Sequence, residues 1–177
     1  DKRFFRFLYY FFIAAMFVPF PVVMLPIAKQ MGSLHLDNQV GLIILYTVLG
    51  LGTNLFIATG FIRSIPVSLE EAAAIDGSSF SNTLWKIILP ITKPILVTVA
   101  IIQIFSCWNE FSFALVLIKN VSLQTVPLAL TQFKGQFASD YPKQMAAMLI
   151  TMSPIVILYF VFSKQIIEGM VAGAVKG

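Results

Sequence analysis

The chain has 177 residues, 58% of them hydrophobic and 11% charged, with a net charge of +4. Soluble globular domains are about 25% charged, so this composition and a mean hydropathy of +0.88 argue against a water-soluble fold. One cysteine (Cys107) and one histidine (His35) exclude an internal disulfide and offer no metal-ligand set.

A bilayer core takes about 20 consecutive apolar residues per helical crossing. Four stretches provide them: Arg6 to Ala28, Val40 to Ile62, Pro94 to Ile118 and Met145 to Ser163. The basic cluster Lys2, Arg3 and Arg6 ahead of the first stretch looks like the start of a secretory signal. The apolar run is too long for one, and no small-x-small cleavage site follows. Within it, Pro19, Pro21 and Pro26 remove backbone donors and predict a kink or break in the outer half. Such a break either faces protein or a water-filled space, where it is tolerated, or ends the helix at the outer surface.

Gly32 and Asn38 mark a short outer connection over residues 29–39, with His35 solvated or interfacial. The second stretch carries Gly41, Gly50, Gly52 and Gly60 with Thr47, Thr53 and Thr59. In lipid, where packing drives association, small residues let helices approach closely. This helix is therefore expected among others, not surrounded by lipid.

A polar, small-residue segment interrupts the apolar pattern over residues 63–93. Pro66 disfavours helix in the residue before it, which predicts an end of the second helix near Ser64 or Ile65. Ser68 and Glu71 have the spacing of a capping box. A short helix is expected over Leu69 to Asp76, with Gly77 in the left-handed conformation that ends it. Ser78 or Ser79 then starts a second short helix, with Phe80, Leu84, Ile87 and Ile88 on one side and Pro90 closing it. Helices that rest on lipid headgroups carry Lys and Arg on their polar face. This one carries Glu70, Glu71 and Asp76, so the segment reads as a docking surface for another protein.

Glu110 is the one charge inside the third stretch. An acid at the bilayer centre costs on the order of 2.5–3.5 kcal/mol, so it should face the bundle or a cavity. In one reading it contacts solute in a pathway, with Gln103, Asn109 and the stacking face of Trp108. In the other it lies in the outer third and pairs with a neighbouring helix. Residues 119–143 form a long outer segment in which Pro127 opens a short helix with Leu128, Leu130 and Phe133 as its apolar side. Asp140, Tyr141 and Pro142 lead into the last helix, with Tyr141 suited to the interface and Ser153-Pro154 to a kink. No internal repeat and no Walker A pattern occurs.

Lys2, Arg3, Arg6, Arg63, Lys86, Lys93, Lys164 and Lys176 flank one side of these stretches; Lys29, Lys119, Lys134 and Lys143 flank the other. By the positive-inside rule, eight against four predicts both ends and the 63–93 loop in the cytoplasm. The net charge is a topology signal and points to no nucleic-acid partner.

The run Glu70-Glu71-Ala72-Ala73-Ala74-Ile75-Asp76-Gly77, followed after nine residues by Ile87-Ile88-Leu89-Pro90, resembles the cytoplasmic signature loop of permease subunits in ATP-binding-cassette importers. Trp108-Asn109-Glu110-Phe111 and the terminal Val171-Ala172-Gly173-Ala174-Val175-Lys176-Gly177 look like the carbohydrate branch, similar to the second permease subunit of maltose-type systems. The resemblance covers essentially the whole chain. It implies an all-α integral membrane protein with the type I importer fold, one transmembrane domain over residues 1–177, in the plasma (inner) membrane. Permeases of this branch generally have six helices, so the four visible here match the last four, with the first two expected upstream.

The resemblance also implies a function. The chain would form half of a translocation pathway for a sugar or oligosaccharide and would not be an enzyme. Glu71, Ala72, Ala73, Asp76 and Gly77, with Ile87, Leu89 and Pro90, would meet an ATPase. The chain would bind no cofactor, ATP being used by partner subunits. Its partners would be a second permease subunit, two ATP-binding subunits, an extracytoplasmic solute-binding protein at Val121 to Lys143, and membrane lipid. The signature loop by itself also fits an importer of an amino acid, glycerol-phosphate or phosphate. A non-transport membrane anchor would not need such a loop, and an intramembrane enzyme would need more convergent polar groups than one Glu.

Overall fold

The computed structural model describes residues 2–133 and 140–174, with side chains described as far as residue 165. Lys134, in the outer segment, and Val175 to Gly177, at the end of the terminal motif, lie outside the described residues. The described residues form nine α-helices linked by short 3-10 and π turns, with no strand among them.

The first apolar stretch is two helices, not one. α1 spans Lys2–Ala15 and α2 spans Phe20–Ser33, and they meet at 106°. The chain tightens after α1, with the Met16, Phe17 and Val18 amides bonding three residues back, and Pro19 is then extended (φ −62°, ψ 129°). Pro21 sits in the first turn of α2, where its missing donor does no harm. At 14 residues α1 is about 21 Å long, shorter than the ~30 Å apolar core; with α2 it has the length and composition of a broken span or a re-entrant loop.

α2 runs through Gly32, so the connection expected over residues 29–39 shrinks to residues 34–38. His35 holds the left-handed position (φ 56°), and the bonds Leu36 N–H to Met31 O (2.8 Å) and His35 N–H to Gly32 O (3.1 Å) form a Schellman end. The Asn38 side chain accepts from the Gly41 amide at 3.1 Å and starts α3, Gln39–Ile62.

After α3 come α4 (Ser68–Ile75) and α5 (Phe80–Thr83), a π-helical turn (Leu84–Ile88) and α6 (Leu89–Asn109). Phe80 to Asn109 is one apolar helical run of 30 residues. This corrects two expectations. The third span begins near Phe80 and ends at Asn109, short of Ile118. Pro90 does not close the loop helix, because the wider π turn before it makes room for its ring, which would press on the Lys86 carbonyl in an α-helix. The Leu89 amide bonds five residues back to Leu84 across that turn.

α7 (Ser112–Leu117) and α8 (Val126–Ala129) are short. α9 (Tyr141–Ala174) passes through Pro154, and the Ser153 hydroxyl donates to the Ile150 carbonyl that Pro154 leaves without an amide (2.8 Å). Among the described residues three helices are thus long and apolar enough to cross a membrane, or four if the bent pair is one span.

α1, α3, α6 and α9 pack in that order. Small residues explain the closeness around α3. A Cβ at Gly52 would lie 2.8 Å from the Phe12 carbonyl on α1, and one at Gly50 would lie 2.4 Å from Gln103 Oε1 on α6. Gly60 faces open space and plays no such part. The Trp108 indole N–H donates to the Thr151 carbonyl (3.2 Å) and ties α6 to α9. The tightest cluster is at the end remote from residues 63–88, the far end, where α2, α3, α7 and α8 supply Met31, Leu42, Leu45, Phe113, Leu117 and Leu128.

Candidate functional site

Two places on the molecule carry the residues singled out by sequence: the loop around α4 and α5, and a cleft between α3 and α6.

In the loop, α4 begins one step earlier than a capping box requires. Pro66 O accepts from Leu69 N–H (3.2 Å), and Val67, already helical (φ −61°, ψ −26°), accepts from the Glu70 and Glu71 amides. Ser68 therefore lies inside the first turn, and the expected Ser68–Glu71 box does not form. The carboxylates of Glu70 and Glu71 still sit in the first turn, where they complement the helix dipole. At the other end Gly77 has φ +74°. Ser78 N–H bonds Ala73 O (2.9 Å) and Gly77 N–H bonds Ala74 O (3.0 Å), a complete Schellman end. Ser79 Oγ accepts from the Asn82 amide (3.3 Å) and starts α5. The Thr83 hydroxyl bonds Ser78 Oγ (3.1 Å), knitting the corner between the two helices.

Glu71, Ala72, Asp76, Gly77 and Pro90 are exposed. Ala73 is turned inward at 5% exposure, and Ile87 and Leu89 are half-buried. Sequence reasoning did not place Ile75 and Trp85 in this site. With Phe80 and Val67 they are the most outward large apolar side chains of the loop, Ile75 at 86% and Phe80 at 84%. Apolar residues at the end of a capped helix were the available signal.

The cleft between α3 and α6 has a volume of about 180 Å³. Asn54 Nδ2 donates to Gln103 Oε1 (3.3 Å), and Gln103 Nε2 reaches Tyr46 O (3.4 Å) and Cys107 Sγ (3.2 Å). Asn54 Oδ1 is buried with no hydrogen-bond partner among the described residues. Glu110 stands at the far end of this cleft, where its carboxylate accepts from the Tyr46 hydroxyl (2.6 Å) and from the Phe113 (2.7 Å) and Ala114 (3.2 Å) amides.

The four pathway candidates do not share one cavity. Gln103 and Glu110 line the α3–α6 cleft. Trp108 and Asn109 line a second pocket of about 290 Å³ with Pro127, Met148 and Thr151, between α6, α8 and α9. Tyr46 and Asn54 were not singled out by sequence; an amide inside the apolar run of α3 was the signal for Asn54.

The family described as "binding-protein-dependent transport system inner membrane component" matches residues 1–170. A multiple sugar-binding transport system permease protein of Streptococcus mutans is 41% identical over 177 residues, 99% of this chain and 64% of the relative. A sulfoquinovosyl glycerol transport system permease protein of Agrobacterium fabrum is 34% identical, covering 93% of this chain and 58% of the relative. A melibiose/raffinose/stachyose import permease protein of Bacillus subtilis is 34% identical, covering 93% and 60%. The chain thus spans about three fifths of the length of these relatives. All-helical, with apolar spans on either side of a capped polar loop, the chain belongs to the family of inner-membrane components of binding-protein-dependent transport systems.

Proposed function

We propose that this chain is a permease subunit of an ATP-driven sugar or oligosaccharide importer, forming half of the translocation pathway with a second permease subunit. The observation that carries this reading is the α4–α5 corner: two helices with defined ends, joined by hydrogen bonds, that turn Ile75 and Phe80 outward on a family member's polar loop. The sugar assignment is supported by relatives whose names specify sugars. Two ATP-binding subunits use the ATP, and this chain binds none. One of them receives Glu71, Ala72, Asp76 and Gly77 together with the outward apolar residues. The inward Ala73 acts by packing and not by contact. α5 continues through the π turn into α6, so a push on the corner is delivered along one unbroken helical run to the α3–α6 cleft.

The Lys/Arg bias places the corner and both ends of the chain in the cytoplasm. Residues 119–143 then face an extracytoplasmic solute-binding protein. Gln103 and Glu110 line the pathway, and Trp108 and Asn109 stand beside it in their own pocket.

Ala72→Trp tests the docking role, because it adds bulk to an exposed helical position without disturbing the Gly77 end. Uptake and its coupling to ATP hydrolysis should be lost while the chain still inserts into the membrane. Full uptake by this variant would sink the docking role. Competition of labelled sugar uptake by amino acids, glycerol-phosphate and phosphate separates the sugar reading from the other solutes.

A further inference from the structure

Glu110 does more than satisfy a charge in an apolar chain. α6 stops at Asn109, and Glu110 is extended (φ −73°, ψ 128°). Its Oε1 accepts from Phe113 N–H, and its Oε2 from Ala114 N–H and from the Tyr46 hydroxyl. The two amide bonds are local, three and four residues away, so they travel with the corner between α6 and α7. Of the three bonds, the one to Tyr46 alone crosses to α3, over a separation of 64 residues. α7 in turn buries Phe113, Ala114 and Leu117 at no more than 1% exposure in the far-end cluster. Displacing Glu110 therefore displaces α7, which shares that cluster with Leu42 and Leu45 of α3. The remaining side-chain bridges from Gln103 to α3 are long, 3.3 Å to Asn54 and 3.4 Å to the Tyr46 carbonyl.

We propose that Glu110 is a positioning residue whose bond to Tyr46 latches the α3–α6 cleft shut at its far end. The corner keeps its own cap when the latch opens, so the hydrogen bond that must break there is the one to Tyr46, while the apolar packing of α3 on α7 in the far-end cluster adjusts around it. This rests on the permease reading, in which the cleft is part of the pathway and must open at one end at a time. The latch is absent from the signature loop and from the Trp108–Phe111 run as sequence, because Tyr46 lies on another helix.

Cys107, the sole cysteine of this chain, lines the same cleft one turn before Glu110 and reports on it directly. The test uses the complete transporter in membrane vesicles of both orientations, treated with a membrane-impermeant maleimide and read at Cys107 by peptide mass spectrometry. Lys119→Cys, at an exposed position beyond α7, marks the far face. Tyr46→Phe should speed Cys107 labelling about tenfold from the face at which Lys119→Cys reacts, as loss of a hydrogen bond to a carboxylate implies. Labelling from the loop face should stay unchanged. Glu110→Gln keeps an oxygen acceptor and should give an intermediate rate. Should Tyr46→Phe fail to assemble, Glu110→Gln is read by the same assay. Wild-type labelling in the variants that assemble, or faster labelling from the loop face, overturns the latch. Labelling needs no solute, so this outcome is independent of uptake. Absence of sugar uptake by the wild-type vesicles would instead overturn the sugar reading and leave the latch result standing.

Discussion

The two ends of the molecule solve opposite problems. At the far end four helices bury Phe113, Leu117 and Leu128 almost completely, and the Phe20 ring meets Phe113 edge-on at 4.9 Å. At the loop end, residues 68–88 are defined by backbone hydrogen bonds and caps, and Ile75, Phe80 and Trp85 point outward. One end holds its own shape by packing. The other holds its shape by local geometry and keeps its apolar surface unused within the chain. Substitutions should therefore act on stability at the far end and on assembly at the loop.

The largest contrast is between two phenylalanines. Phe113→Ala removes a ring that is 1% exposed and should destabilise the fold by about 3–5 kcal/mol, including the cavity left behind. Phe80→Ala removes a ring that is 84% exposed and should leave thermal unfolding of the detergent-solubilised protein within about 0.5 kcal/mol. The same Phe80 variant should retain less ATPase subunit on co-purification. Equal destabilisation by both variants would erase the distinction between the ends.

A finer comparison uses two helix ends with the same hydrogen-bond pattern but different residues at the left-handed position, Gly77 after α4 and His35 after α2. Gly77→Ala forces a side chain into that conformation at a cost of roughly 1–2 kcal/mol. α4 packs little on the rest of the chain, so the loss should appear locally as faster hydrogen exchange of the Ser78 amide, with global unfolding little changed. His35→Gly reverses the situation. It relieves the left-handed strain, gives back part of the gain as backbone entropy, and should stabilise by up to about 1 kcal/mol. Thermal unfolding measures it, and a loss of stability would mean that the His35 side chain makes a contribution outweighing its backbone conformation.

These helix ends also show which features were legible in the sequence. Gly77, Ser79, Pro127 and the proline-rich break after α1 act through their own backbone and its nearest neighbours, and each was readable from local pattern. Ser68 failed as a cap because Pro66 and Val67 had already started the helix, a competition between two valid local signals. Pro90 failed as a terminator because the π turn absorbed it. The cleft was least legible: Tyr46 meets Glu110 across 64 residues and Asn54 meets Gln103 across 49, and no spacing rule connects residues on different helices. Sequence gave reason to expect that Glu110 faces the bundle; the partner that receives it required the fold.

The smallest expected effect lies at the far end's exposed rim, where Lys119 pairs with Asp37 across the connections that follow α2 and α7. The Lys119 ammonium, bonded to the Asp37 carboxylate, holds that carboxyl below its ordinary range. A lowered pKa in the folded state means that the pair's contribution is present above the unfolded pKa and lost as pH falls through the folded one. Stability should therefore decline slightly more steeply in the wild type than in Asp37→Asn below about pH 4, and added salt should narrow the difference by screening the pair. Asp140 is shifted in the same direction by Lys143, so the contrast between variant and wild type, not the wild-type profile alone, isolates Asp37. Identical acid profiles for the two proteins would show that the rim charge pair contributes nothing, leaving the far end held by its buried side chains alone.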